Sequence, residues 1–459
     1  MKHSPPTAPT QSAVALVLAN NAAAQSGSGP LTPEEQRQLL QELQSLRDRV
    51  TVLEGRPVAA PVQPAVTPPL RTSNFSAENN LELYGFLQLD AIQDFKRVNP
   101  NWDATLRPSR IPTIDGEFGG NGQSIFSVRQ SRLGVKGTGT LHDKPYEAKF
   151  EFDLFGVGKD EGQTTIRVRH MYASWGPFLA GQTNSLFMDS DLFPNTIDYW
   201  GPAGMVFVRN PQLRWTFWNR DGWKAAVALE HPSNDIDTGN LRLIDEAIAS
   251  NIQNDEPLPD LTAQVRYEGK WGHVQLSGIL RKVAYETRGT PHNEPSGHRT
   301  GWGLNLGTSF NASLATFRVG AVYGRGIASY MNDGGMDMAP NVEVVQQPGT
   351  LVLVPSAEAV KLFGMSAYVD LNWSKQWTSS LGYSFDQVDN TSFQTETAFH
   401  KGQYASLNLL WHPASNVYTG GELLWGKRTD NDGNTGTDTR FQYSFHWDFS
   451  SKNIWSLFE

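Results

Sequence analysis

From Leu81 to the end of the chain, apolar and polar residues alternate with a period of two. The run KPYEAKFEFDLF places Tyr146, Ala148, Phe150, Phe152 and Leu154 on one face and Glu147, Lys149, Glu151 and Asp153 on the other. That is the mark of a strand with one apolar and one wet side. RFQYSFHWDF repeats it with Phe441, Tyr443, Phe445, Trp447 and Phe449 against Gln442, Ser444, His446 and Asp448. Such runs predict sixteen strands, near 81–95, 123–137, 145–155, 163–175, 177–186, 206–218, 223–231, 261–269, 272–284, 300–310, 314–325, 361–373, 377–388, 402–412, 416–428 and 440–449. Most are about 9 to 13 residues long, more than the roughly 5 to 6 of ordinary strands and suited to a tilted bilayer crossing.

The connections alternate strictly. Long ones fall at 96–122, 156–162, 187–205, 232–260, 285–299, 326–360, 389–401 and 429–439, and tight turns such as Gly176-Pro177 and Asn219-Arg220-Asp221-Gly222 lie between. The fold class expected is all-β, a sixteen-stranded antiparallel transmembrane barrel over 81–449, with long loops outside and turns in the periplasm. A closed sheet pairs every backbone group in hydrocarbon and leaves no edge. Sixteen strands also leave a lumen too wide for side chains to fill.

The period before the barrel is helical. Thr32-Pro33-Glu34-Glu35 is a capping box with Pro at the first helical position, and Leu39, Leu43, Leu46, Val50 and Leu53 follow as a heptad seam. Gly55 and Pro57 end it. One apolar stripe cannot bury itself, so residues 32–55 are expected to form a short periplasmic coiled coil between copies, the alternative being docking on the chain's own barrel. A Pro-rich linker, 56–80, favours the first reading. Residues 1–24 read as a signal peptide, with Lys2, a short apolar stretch at 13–19 and Ala22-Ala23-Ala24 before Gln25. The alternative is a disordered leader, given Pro5, Pro6 and Pro9.

Composition fits this picture. Aromatics are 11% of the chain beside 42 glycines, and mean hydropathy is −0.43. The tryptophans Trp175, Trp215, Trp218, Trp223, Trp271, Trp373, Trp377, Trp411 and Trp447 fall near predicted strand ends, where girdle rings belong. No apolar run approaches the roughly 18 to 20 residues of a membrane helix. With no cysteine, thiolate metal sites and cysteine nucleophiles are excluded. A net charge of −9 offers no basic field, so nucleic acid is not an expected partner. No HExxH, GxSxG or phosphate loop occurs, and no catalytic residue, metal or cofactor is assigned.

VRQSRLGVKG (128–137), GQTNSLFMDSDLFPNTIDYWGPAGMVFVRNPQLRWTF (181–217) and the N-terminal heptads plus spacer give a closer likeness: the chain resembles the DcaP-like outer-membrane porins. The resemblance implies a homotrimer in the outer membrane of a Gram-negative bacterium, passing small anionic solutes such as dicarboxylic and aromatic acids. Porin chains usually end on an aromatic residue. Here Phe449 takes that place and ten residues, SSKNIWSLFE (450–459), follow with no assigned role.

The lipid-facing residues fix the phase of each strand, because a slip would turn charges into hydrocarbon. Leu133 and Val135 outward put Arg132 and Lys136 in the lumen; Ile166 and Val168 outward put Arg167 and Arg169 there and His170 toward lipid; Leu213, Trp215 and Phe217 outward put Arg214 inside. Arg209 precedes the regular alternation, so its direction stays open; Arg266, Arg281 and Arg318 are also inward candidates. Arg132, Arg167, Arg169 and Arg214 lie near the long loop 187–205, whose Asp189, Asp191, Asp198, Tyr199 and Trp200 are expected to fold inward as a constriction, by resemblance to porin third loops. Arginine forks suit carboxylates. A hairpin tip near Asp160 and Glu161 would set Asp153 opposite Arg167 and Glu151 opposite Arg169, so these two arginines either bind anions or neutralise wall acids. Arg132 and Arg214 lack so obvious a partner. Other readings are a structural anchor tethered by its coiled coil, or a cation-preferring porin dominated by Glu147, Glu151, Asp370 and Asp386.

Overall fold

The computed structural model describes residues 80–156, 165–347 and 350–454. The leader, the heptad helix, all of the linker but Asn80, and the tip carrying Asp160 and Glu161 lie outside the described residues.

In chain order the strands are β1 (Asn80–Asp94), β2 (Gln123–Ser127), β3 (Arg132–Leu141), β4 (Lys144–Gly156), β5 (Thr165–Trp175), β6 (Phe178–Asn184), β7 (Arg209–Arg220), β8 (Trp223–Glu230), β9 (Ile252–Asp255) and β10 (Asp260–Gly269). They continue as β11 (Gly272–Thr287), β12 (Gly297–Ala312), β13 (Ala315–Arg325), β14 (Met338–Gln347), β15 (Thr350–Ala359), β16 (Lys361–Asn372), β17 (Trp377–Asp389), β18 (Phe399–Ala414), β19 (Val417–Asp430) and β20 (Thr435–Ser450). Eighteen of them form one sheet, and β14 and β15 form a separate hairpin. Within the sheet β2 and β3 both pair with β1 as two parts of one stave, and β9 extends only the edge of β11, so sixteen antiparallel staves remain. β20 pairs with β1 from Tyr84↔Ser450 to Asp94↔Arg440, which closes the barrel.

The burial pattern is that of a soluble protein turned inside out. Leu213, Trp215, Phe217, Leu407, Phe441 and Phe445 are exposed on the outer face, as are all nine tryptophans assigned to the girdles. Asp90, Asp153, Glu422, Asp438, Arg440 and Ser444 are buried inside. Apolar packing within the lumen comes from loops: Phe187 and Val206 pack with Ile327, Tyr330 and Met331, and a second cluster joins Leu106, Ile111 and Ala203 to wall residues Tyr368 and Tyr404. No helix among the described residues is long and apolar enough to cross a membrane.

Three departures from the sequence pattern bear on the lumen. The expected strand 123–137 is broken at 128–131, where Gln130 donates to Asp90 Oδ2 (3.0 Å) and to the Ile197 carbonyl (2.9 Å) instead of continuing the ladder. A bulge in β5 shifts the register between Glu151↔His170 and Phe152↔Val168. Arg169 and His170 therefore both face inward, and the lipid-facing placement of His170 is corrected: its Nδ1 lies 2.9 Å from Thr183 Oγ1. The bulge also makes His170, not Arg169, the register partner of Glu151. The third departure is the β14–β15 hairpin inside the loop expected at 326–360.

β20 runs past Phe449, and a short helix (Ser451–Ile454) follows, whose Ser451 hydroxyl accepts from Leu83 N (3.1 Å) while Lys452 pairs with Glu82 (3.2 Å).

Candidate functional site

β6 has only seven residues, and where it ends the chain leaves the wall and enters the lumen. Glu230 on β8 anchors the departure, accepting from Ser185 Oγ (2.9 Å), Leu186 N (3.0 Å) and Thr262 Oγ1 (2.6 Å). Asn305 Nδ2 then donates to the Phe187 carbonyl (2.8 Å), and Asp189 Oδ2 meets His273 Nε2 at 2.7 Å. Across the barrel, Glu422 on β19 accepts from Thr196 Oγ1 (2.5 Å), Ile197 N (3.0 Å), Asp198 N (3.1 Å) and Asn408 Nδ2 (2.8 Å). Asp198 itself accepts from Thr105 Oγ1 (2.8 Å), Leu106 N (3.1 Å), Gly201 N (3.2 Å) and Tyr404 OH (3.1 Å). Burial pushes its carboxyl above the ordinary aspartate range, against the pull of Arg440 and of the Thr105, Gly201 and Leu106 donors. On the return, Ala203 N donates to Ser384 Oγ (3.0 Å). Gly204 lies so close to the wall that a Cβ would stand 2.0 Å from the Phe385 carbonyl oxygen and 2.4 Å from that of Met365. The segment between β6 and β7 thus crosses the lumen, tied to inward residues of opposite walls.

The basic residues fall into two groups. The inward ones on β3 to β5 are tied to acids. Arg169 bonds Glu151 Oε1 (2.9 Å) and Asp153 Oδ2 (2.8 Å), Arg167 pairs with Asp153 (3.0 Å), and Lys136 pairs with Glu147 (3.0 Å). Arg132 does have a partner: its Nε is 3.6 Å from Glu151, and its guanidinium lies over Phe86, its register partner on β1. Tyr199 caps the network, donating to Asp153 (2.6 Å), accepting from Arg169 (3.0 Å) and stacking on Phe155 at 3.8 Å. Of the further inward candidates, Arg281 pairs with Asp260 (3.2 Å), Arg318 with Asp370 (2.7 Å) and Arg266 with Asp191 (2.5 Å).

Arg209, Arg214 and Arg110 form no ion pair among the described residues. Arg209 lies over Phe207, its Nε without a partner among the described residues. Arg214 donates through Nε to Gln212 Oε1 (3.0 Å) and through Nη2 to the Asn184 carbonyl (2.6 Å). Arg110 and Arg209 line a cavity of about 830 Å³, with Arg107, Arg167 and Arg428 against Asp235, Asp237 and Asp333. Arg107 stands over the rings of Trp102 (4.3 Å) and Trp200 (4.1 Å) and pairs with Asp333 (2.9 Å). Trp200 Nε1 donates to the Asn332 carbonyl. Arg107, Arg110 and Trp102 belong to the loop between β1 and β2 and went unassigned in the sequence pattern, since an irregular loop has no period to phase them. Of the loop acids, Asp189 and Asp198 are buried and spent on hydrogen bonds, while Asp191 stays open to Arg266.

The chain matches the family model described as DcaP outer membrane protein over residues 71–447. The crystal structure of the outer membrane channel DcaP of Acinetobacter baumannii is similar, with a TM-score of 0.67 and 21% identity over 81% of this chain and 97% of that one. An anion-selective porin from Comamonas acidovorans aligns with a TM-score of 0.49 at 12% identity, over 81% and 100% of the two chains. In-vitro folded OmpT of Vibrio cholerae aligns with a TM-score of 0.48 at 12% identity, over 82% and 98%. No curated protein matches the chain.

Proposed function

Because the chain belongs to the DcaP outer membrane protein family, and so to the outer-membrane β-barrel channels of Gram-negative bacteria, we propose that it passes small anionic solutes, dicarboxylates and aromatic acids among them, past an arginine-lined constriction beside the inward loop. The observation that carries the reading is the presence of Arg209 and Arg214 in the lumen with no carboxylate partner among the described residues, although the chain as a whole is acidic. An unneutralised guanidinium attracts anions and binds carboxylates through parallel N–H bonds. Weak multi-site binding also lets the solute leave. Arg167, Arg169, Arg132 and Lys136 then serve mainly to hold the acids of β4, and Tyr199 and Trp200 shape the aromatic side of the passage.

On this reading residues 1–24 are removed on export and residues 32–55 join three copies through a coiled coil in the periplasm. β1 begins at the barrel end that carries the tight turns, which suits a periplasmic N-terminal segment.

The test is the zero-current potential of single channels in a salt gradient. The unmodified channel should prefer anions. Arg209→Ala and Arg214→Ala should each lower the anion-to-cation permeability ratio about two- to fivefold, the size of one charge contact screened by water. A cation preference, or a sealed lumen, would overturn the proposal.

A further inference from the structure

We infer that the lumen holds a second anion station on the tight-turn side of the inward loop, built by Arg214 and Lys224 and fitted to small hydrated oxyanions such as carboxylate or phosphate; the inference rests on the anion reading above. A cavity of about 540 Å³ lies between β6, β7, β8, β10, β11 and the underside of the loop. Asn219 at the end of β7 and Gly222 of the β7–β8 turn line it, which fixes its place at the turn end of the barrel. Its charged lining is Arg214, Lys224 and Arg266 against Asp191 and Glu268.

These three cations are not equivalent. Arg266 is consumed, with Asp191 at 2.5 Å and Asp189 and Glu268 both at 3.4 Å. Lys224 sits directly beside it, paired in register with Arg266 on one side and Asn219 on the other, yet forms no hydrogen bond or ion pair among the described residues. Arg214 is held by Gln212 and Asn184 through Nε and Nη2, which orients the guanidinium and leaves Nη1 without a partner among the described residues. Two cations that line one cavity from neighbouring strands, one oriented by its hydrogen bonds and the other unpaired among the described residues, offer donors to an anion from two sides.

The ligand class follows from what else lines the two cavities. Tyr199, Trp200, Phe207 and Phe399 line the outer one, which gives an aryl or alkyl acid an apolar surface. Among the described residues no aromatic ring lines the lower one, where Ser185, Ser190 and Gln275 supply uncharged polar groups instead. An ion handed from the first cavity to the second exchanges apolar contact for charge alone. Two sites in series, each weak, keep a channel conducting.

Single-channel current of the full-length protein, with inorganic phosphate added to one face at a time, tests this. Phosphate should reduce the current more from the tight-turn face. Lys224→Gln should weaken that block about fivefold, and Lys224→Arg should restore it. Lys375→Gln, which removes the same charge from the β16–β17 turn outside the cavity, should leave it alone. An unchanged block in Lys224→Gln with the anion preference intact removes the station and spares the function proposed above. Equal weakening by Lys375→Gln reduces the effect to rim charge and also removes the station. A cation-preferring unmodified channel removes both readings.

Discussion

At Glu422 one buried carboxylate holds the far end of the loop against the wall. It receives four hydrogen bonds, three of them from the loop residues Thr196, Ile197 and Asp198, and it is fully buried. Each donor left unpaired in a buried site costs about 1–3 kcal/mol. Glu422→Ala should therefore loosen the loop and appear as increased open-channel current noise; quiet channels in that variant would show that other ties suffice. Gly204 acts through space rather than charge. A Cβ there cannot coexist with the two carbonyls of the β16–β17 wall, so Gly204→Ala should destabilise the folded barrel by about 1–3 kcal/mol in reversible unfolding.

Among the strands, β7 shows how alternation separates two solvents. Leu213, Trp215 and Phe217 are exposed to lipid, while Gln212, Arg214 and Thr216 face the lumen. An arginine facing the bilayer midplane costs about 2–4 kcal/mol, and one facing the lumen much less. Leu213→Arg should therefore lower folding stability in lipid vesicles by that amount, whereas Thr216→Arg should be close to neutral. Equal costs would contradict the assigned phase. β5 shows the limit of alternation. One extra residue at the bulge brings Arg169 and His170 to the same side, and no feature of TIRVRHMYASW marks where that residue falls.

For the molecule as a whole, closure is the central requirement. The β1–β20 ladder joins the two ends of the described chain over eleven residue pairs, from Tyr84↔Ser450 to Asp94↔Arg440. In hydrocarbon an open edge would leave these backbone groups unpaired. The barrel is thus complete without residues 1–79. A chain beginning at Asn80 should refold in detergent with the same ion selectivity as the whole protein, measured by zero-current potential, while its oligomeric state reports on the proposed coiled coil. A changed selectivity would tie it to the N-terminal segment.

The period of two, the alternation of long and short connections and the girdle tryptophans were enough to specify sixteen staves, their order and which side of most residues meets lipid. These properties are local, and the bilayer enforces them strand by strand. The partners of Arg132, the inward turn of His170 and the crossing path of residues 185–208 were not legible in the same way. They depend on register, on one bulge and on carboxylates such as Glu230 and Glu422, which lie far from the loop in sequence. Arg110 and Lys224 went unassigned for a related reason. A cation matters to a passing anion only where no acid has neutralised it, and folding alone determines which acids come within reach.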